Sequence, residues 1–112
     1  FITPNVSNSS NTTIYAVPDV ASSAALESIV IGITMANKTS SGISASIFID
    51  NEDGSNDVYI VKDATIPAGS SLEVMSGNKL VLQNDGTNGD NLEALCSAAS
   101  SLDVTVSVLE DV

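Results

Sequence analysis

LDVTVSVLE, residues 102–110, decides the fold class of this chain. Leu102, Val104, Val106 and Val108 alternate with Asp103, Thr105 and Ser107, which gives one aliphatic face and one polar face at a period of two. Successive side chains of a strand point to opposite sides, whereas a helix would scatter these four aliphatic residues around its circumference. Three of the four are β-branched, which suits a pleated, half-buried surface. The segment is therefore read as a strand with its aliphatic face toward a core.

Working upstream, Leu92, Leu95, Cys96 and Ala99 sit at helical spacing, and Glu93, Ala94, Leu95 and Ala98 are good helix formers. The segment is short, however, and Ser100-Ser101 joins it directly to a strand. A strand is expected, because tertiary context overrides weak propensity. The same period of two recurs in Leu26 to Ala36, where Ile29, Ile31, Ile33 and Met35 fall on one face and Ser28, Val30, Gly32 and Thr34 on the other. It recurs again where Ile43, Ala45, Ile47 and Ile49 alternate with Ser44, Ser46, Phe48 and Asp50. Between these two runs lies the turn-rich segment Asn37 to Gly42, so they are expected to form an antiparallel hairpin.

Shorter runs follow the same rhythm. Thr13 to Val17 stops at Pro18, which cannot donate to a ladder. Val58 to Ala64 precedes IPAGSS, punctuated by Pro67 and Gly69; Leu72 and Val74 then alternate with Ser71, Glu73 and Met75, and Gly77-Asn78 sets a turn before Lys79 to Leu82. Seven or eight strands at this spacing predict an all-β fold, an antiparallel β-sandwich of the jelly-roll or immunoglobulin-like kind. The absence of a Cys-Trp-Cys pattern removes true immunoglobulin domains. Residues 13–112 form the sandwich domain in this reading, and residues 1–12 an extended arm dense in Asn, Ser and Thr. Phe1, Ile2 and Val6 are out of place on a freely solvated tail; they pack either on the domain's own edge or on a neighbouring subunit, and so stand as candidate subunit contacts.

Charge excludes several functions. Fourteen carboxylates face three lysines, with no arginine and no histidine, for a formal net charge of −11. Lys38, Lys62 and Lys79 cannot build the basic face that binding to a phosphate backbone requires, so no nucleic-acid partner is expected. The apolar run Ile29 to Met35 is far short of the roughly 20 residues of a membrane-spanning helix, and no membrane partner is expected. Cys96 is alone, so no internal disulfide forms.

The residues of catalysis are equally sparse. Without histidine there is no Ser-His-Asp triad, no Cys-His pair and no imidazole ligand. Cys96 lies in an apolar stretch with no nearby cation and reads as an inert buried thiol. The acids fall on loops and solvent faces, without the aromatic platforms of a sugar cleft. Two acidic loops carry hard oxygen ligands of the kind calcium takes: Asp50, Asn51, Glu52, Asp53, Ser55 and Asp57 around Gly54, and Asn84, Asp85, Asn88, Asp90 and Asn91 around Gly86 and Gly89. Neither has the EF-hand register, and both read as ordinary turn chemistry. The Asn-X-Ser/Thr sequons at Asn5, Asn8, Asn11 and Asn37 read as chance in so Asn/Ser/Thr-rich a chain. No enzyme activity, metal or cofactor is expected.

One resemblance goes further. YIVKDATIPAGSSLEVMSGNKLVL, Tyr59 to Leu82, followed by SAASSLDVTVSVLE, Ser97 to Glu110, resembles small virion structural proteins of tailed bacteriophages, notably those of marine and cyanobacterial hosts. A strand ending in a lysine, an IPAG-type turn, a short hairpin, an acidic loop and a last strand with an acidic tail follow in the same order. MANKTSSGISASIFI, Met35 to Ile49, looks like the same family's turn between two long strands. The resemblance spans roughly residues 13–112 and departs at Gln83 to Asn91, where the acidic loop is longer. It implies a non-enzymatic subunit located in the virion, most simply a capsid decoration protein, with a tail or neck subunit as the alternative. Its partners would be the major capsid protein or tail and neck proteins, together with further copies of itself in a homo-oligomer or lattice. A bacterial surface binding module is the rival class, disfavoured by the few aromatic residues available for stacking on sugars.

Overall fold

A computed structural model of the 112-residue chain describes residues 11–17, 26–50, 57–75, 79–84, 89–98 and 100–110. Eight strands run in chain order: β1 (Thr12–Ala16), β2 (Leu26–Asn37), β3 (Ile43–Asp50), β4 (Asp57–Ile66), β5 (Ser71–Glu73), β6 (Leu80–Asn84), β7 (Asn91–Cys96) and β8 (Leu102–Glu110). All pairings are antiparallel. The first sheet has the order β1-β7-β3-β4; in the second, β8 flanks one side of β2 while β5 and β6 lie end to end along the other. The all-β class and the two-sheet arrangement expected from the alternating runs are what the structure shows. The arm residues Phe1, Ile2 and Val6 lie outside the described residues, as do most of the two acidic loops.

The interior is aliphatic. Val30, Ile33 and Met35 of β2 and Leu102, Val104 and Val106 of β8 meet Ala45 and Ile47 of β3 and Leu92 and Ala94 of β7, all at 1% exposure or less. Each large side chain so buried contributes about 1.5–3 kcal/mol relative to exposure. Residues 91–96 are a strand between β1 and β3, not a helix. In that position Leu92, Ala94 and Cys96 enter the core at a period of two, a burial that a single helical turn at this place would forfeit.

The expected hairpin between β2 and β3 does not form. β2 pairs with β5, β6 and β8, whereas β3 pairs with β4 and β7, so the connection is an arch from one sheet to the other. Asn37, buried at 2% exposure, shapes it. Its Nδ2 donates to the carbonyls of Ser41 at 2.7 Å, Ile66 at 3.0 Å and Pro67 at 3.3 Å, and its Oδ1 accepts from Thr39 N at 2.9 Å and Thr39 Oγ1 at 2.7 Å. This also explains the sequon at Asn37: its amide nitrogen is committed to the interior of the arch. A second crossing, from β4 to β5, is a turn closed by Ser70 N donating to Pro67 O at 3.0 Å, with Gly69 at φ 70°. That φ at the third turn residue is the left-handed conformation glycine adopts without strain.

β2 also departs from simple alternation. Its register to β8 slips between Val30 and Gly32, leaving Ile31 as an extra residue. Ser28 and Val30 point inward before this bulge, and Ile33, Met35 and Asn37 point inward after it. Ile29 and Ile31 are therefore on the opposite face from Ile33 and Met35, with which the sequence pattern groups them. A β-bulge has this effect because one inserted residue exchanges the faces of everything beyond it.

Candidate functional site

Two surfaces carry features beyond packing, the outer faces of the two sheets. On the first sheet, Thr13, Glu93, Phe48 and Tyr59 form one row across β1, β7, β3 and β4 by their registers. Phe48 is buried at 1% exposure although it is not part of the interior cluster, and its ring lies 5.1 Å from that of Tyr59 at 37°. Lys62 Nζ stands 5.1 Å from the Tyr59 ring, within cation–π range. Glu93 is likewise buried, at 8% exposure, which corrects the expectation that the acids sit on loops and solvent faces. Thr13 Oγ1 donates to its Oε2 at 3.4 Å. Desolvation raises the Glu93 pKa above the ordinary carboxylate value, and the neighbouring charges of Asp50 and Asp57 raise it further. Asp50 faces Asp57 across β3 and β4, so three acids share this part of the sheet.

Toward the other end of the same face, Ser44, Ser46, Asp63, Leu95 and Ser97 line a shallow depression of about 230 Å³. Asp63 adopts φ 51° at a point where β4 is irregular against β3, and its N–H donates to Ser46 Oγ at 2.9 Å. The wall is therefore hydroxyl-rich. Cys96 borders the same depression but is buried at 4% exposure, and its thiol donates to Ala98 O at 2.9 Å. The thiol is thus buried, as the sequence reading expects, and its proton serves the crossing into β8. Among the described residues, no group of three His, Cys, Asp or Glu side chains is placed to hold a metal ion.

The outer face of the second sheet is different in kind. Ile29 pairs with Val81 of β6 on one side and with Leu109 of β8 on the other, so a row of three aliphatic side chains crosses all three strands. Ile31 at the bulge extends the row along β2. Ile31, Val81 and Leu109 are 51%, 53% and 55% exposed. Next to the row, Glu27 accepts a hydrogen bond from Gln83 Nε2 at 2.8 Å. Farther along the same face the residues are small or polar: Gly32, Thr34 and Ala36 opposite Ser107, Thr105 and Asp103. Lys38 and Asp103 close that end with a 3.0 Å ion pair, half exposed on both sides. Such a pair contributes little stability in water.

The sequence reading missed this cluster, because regular alternation places Ile29 and Ile31 with the core residues of β2. The signal available was the length of the aliphatic run: Ile29 to Ile31 supplies apolar residues to both faces at once. No protein-family model matches the chain, and comparison with curated proteins and with solved structures returns no match.

Proposed function

We propose that the chain is a non-enzymatic structural subunit of a tailed-phage particle, in the first instance a capsid decoration protein. The observation that carries a subunit role is the aliphatic cluster of Ile29, Ile31, Val81 and Leu109 on the outside of an otherwise acidic domain. Contiguous exposed apolar side chains within a polar rim are the mark of a protein contact surface. The phage assignment rests on the resemblance of Tyr59 to Leu82 and of Ser97 to Glu110. Net charge supports it: an acidic shell protein is repelled by the packaged genome and keeps particles dispersed.

A tail or neck subunit is the second reading, and copy number separates the two. Quantitative mass spectrometry of purified particles is expected to find on the order of hundreds of copies for a decoration protein, against about six or twelve for a ring in the neck or tail. Absence from the particles would refute the virion role in both forms.

A further inference from the structure

The aliphatic cluster on the second sheet is self-complementary. Ile29 stands at the centre of its row, flanked by Val81 and Leu109, and opposite charges stand on either side of that row along the strands. Glu27 is two residues before Ile29. Lys79 directly precedes Leu80, the residue opposite Val30, so it stands beside Ile31 and is exposed. Of the other two cations, Lys38 is engaged by Asp103 and Lys62 lies over the Tyr59 ring, whereas Lys79 makes no ion pair among the described residues.

We propose that the outer face of this sheet is the interface between two copies of the chain, packed face to face about a two-fold axis. The axis lies between the two sheets, perpendicular to β2, and passes over the Ile29 row. Glu27 and Ile31 are each about 7 Å from Ile29 along the strand, so this operation lays each Ile29 row on the other and brings Lys79 of each copy over Gln83 of its mate, one strand, about 5 Å, to the side of the mate's Glu27. Stacked sheets lie about 10 Å apart, a gap that lysine and glutamate side chains offset by one strand bridge together. Three aliphatic residues each about half exposed present on the order of 300 Å² per copy, or about 600 Å² for the pair. The apolar part of a minimal specific interface of about 1,200 Å² is close to 700 Å², so the cluster is sized to be the core of one. A basic partner would be attracted by the rest of the acidic surface but repelled at this spot by Lys79; a second copy satisfies both charges. The inference rests on the same cluster that supports the subunit role, but not on the phage assignment.

Sedimentation velocity of the full chain from about 5 to about 500 µM, at physiological salt where charges more than about 8 Å apart are screened, is expected to show a reversible monomer–dimer equilibrium. Leu109→Asp is expected to weaken it at least tenfold with the β-rich circular dichroism spectrum and melting transition unchanged, since Leu109 is exposed. The decisive series is the charge swap. Glu27→Lys lowers the net negative charge and would strengthen association if general repulsion governed it; the proposed pairing instead sets it against Lys79 and weakens the dimer several-fold. Lys79→Glu weakens it as well, and the double variant, with the net charge of the original, restores it. A chain that stays monomeric throughout the range, a Glu27→Lys variant that associates more tightly, or a double variant that adds the two losses would each overturn the proposal. So would a dimer that survives Leu109→Asp but disappears when residues 1–10 are deleted.

Discussion

Replacing Asn37 by alanine removes the side chain that ties the arch between β2 and β3. Four of its hydrogen bonds are well formed, to Ser41 O, Ile66 O, Thr39 N and Thr39 Oγ1, and a longer one reaches Pro67 O. A net value of about 1 kcal/mol per bond sets an upper figure near 4 kcal/mol. Thr39 is only half-buried and recovers part of its share from water, whereas the Ile66 carbonyl is bonded in the interior and does not. The expected loss is therefore about 3 kcal/mol, a large part of the ~5–15 kcal/mol that holds a domain of this size. In urea, with a slope of about 1.5 kcal/mol per molar, the midpoint falls by about 2 M at unchanged slope. Asn37→Asp discriminates further. It keeps the shape and the acceptor for Thr39 but turns a carboxylate toward three carbonyls, so it should cost more than alanine at neutral pH and recover when acid protonates it. A loss under about 1 kcal/mol for Asn37→Ala, or an aspartate variant milder than the alanine one at pH 7, would refute this account of the arch.

Three further outcomes are expected. Glu93→Gln should stabilise the protein at neutral pH by about 1 kcal/mol, because it removes a charge that is desolvated beside Asp50 and Asp57. Since the folded state holds the Glu93 proton more tightly than the unfolded state, Glu93's share of stability is full below the ordinary glutamate pKa and is lost as pH rises through the raised value; urea midpoints measured across that acidic range should show this slope in the parent chain and less of it in the variant. Tyr15→Phe should cost about 1–2 kcal/mol in the same assay, since the Tyr15 hydroxyl meets Ser28 Oγ at 2.9 Å and donates to Glu110 Oε2 at 2.6 Å. Burial, with Glu110 alongside, pushes the Tyr15 pKa up to about 12, so between about pH 10 and 12 stability should fall with pH in the parent and more gently in the variant. Gly69→Ala should cost about 1 kcal/mol by thermal melting: at φ 70° the new methyl has room, and the loss comes from backbone strain alone.

The strands that the residue pattern announces are those whose burial depends on one neighbour face. β8 alternates cleanly from Leu102 to Val106 because a regular strand packs one side on a core. β7 was legible only through its setting: its propensity points to a helix, and it is the register to β1 and β3 that makes it a strand. What could not be read was the sheet to which a strand belongs. Lys38 to Gly42 has the composition of a hairpin turn, and nothing in its residues says that Asn37 binds the Ile66 and Pro67 carbonyls, which lie far along the chain. The surface cluster was hidden for a related reason. A run such as Ile29-Val30-Ile31 signals that both faces can be apolar, but it does not say that a bulge falls there. Glu93 does lie on an outer face, where an acid is expected to be solvated, and only the three-dimensional sheet places Asp50, Asp57 and Thr13 around it.

The first half of β2 could be set in two ways, with the bulge at Ile31, as it is, or without it. In one, Ser28 and Val30 turn inward and Ile29 and Ile31 outward; in the other, unbulged, Ile29 and Ile31 would follow Ile33 and Met35 into the core and the outer face of the sheet would present serine and valine. Hydrophobicity alone favours the second. Tyr15 opposes it, since its hydroxyl reaches from β1 to the buried Ser28 and the exposed Glu110 and holds Ser28 on the inner face. A phenol on the edge of one sheet thus ties down a strand of the other, and a hydrogen bond on the near side adds about 1–2 kcal/mol to the setting that leaves Ile29 and Ile31 on the far one.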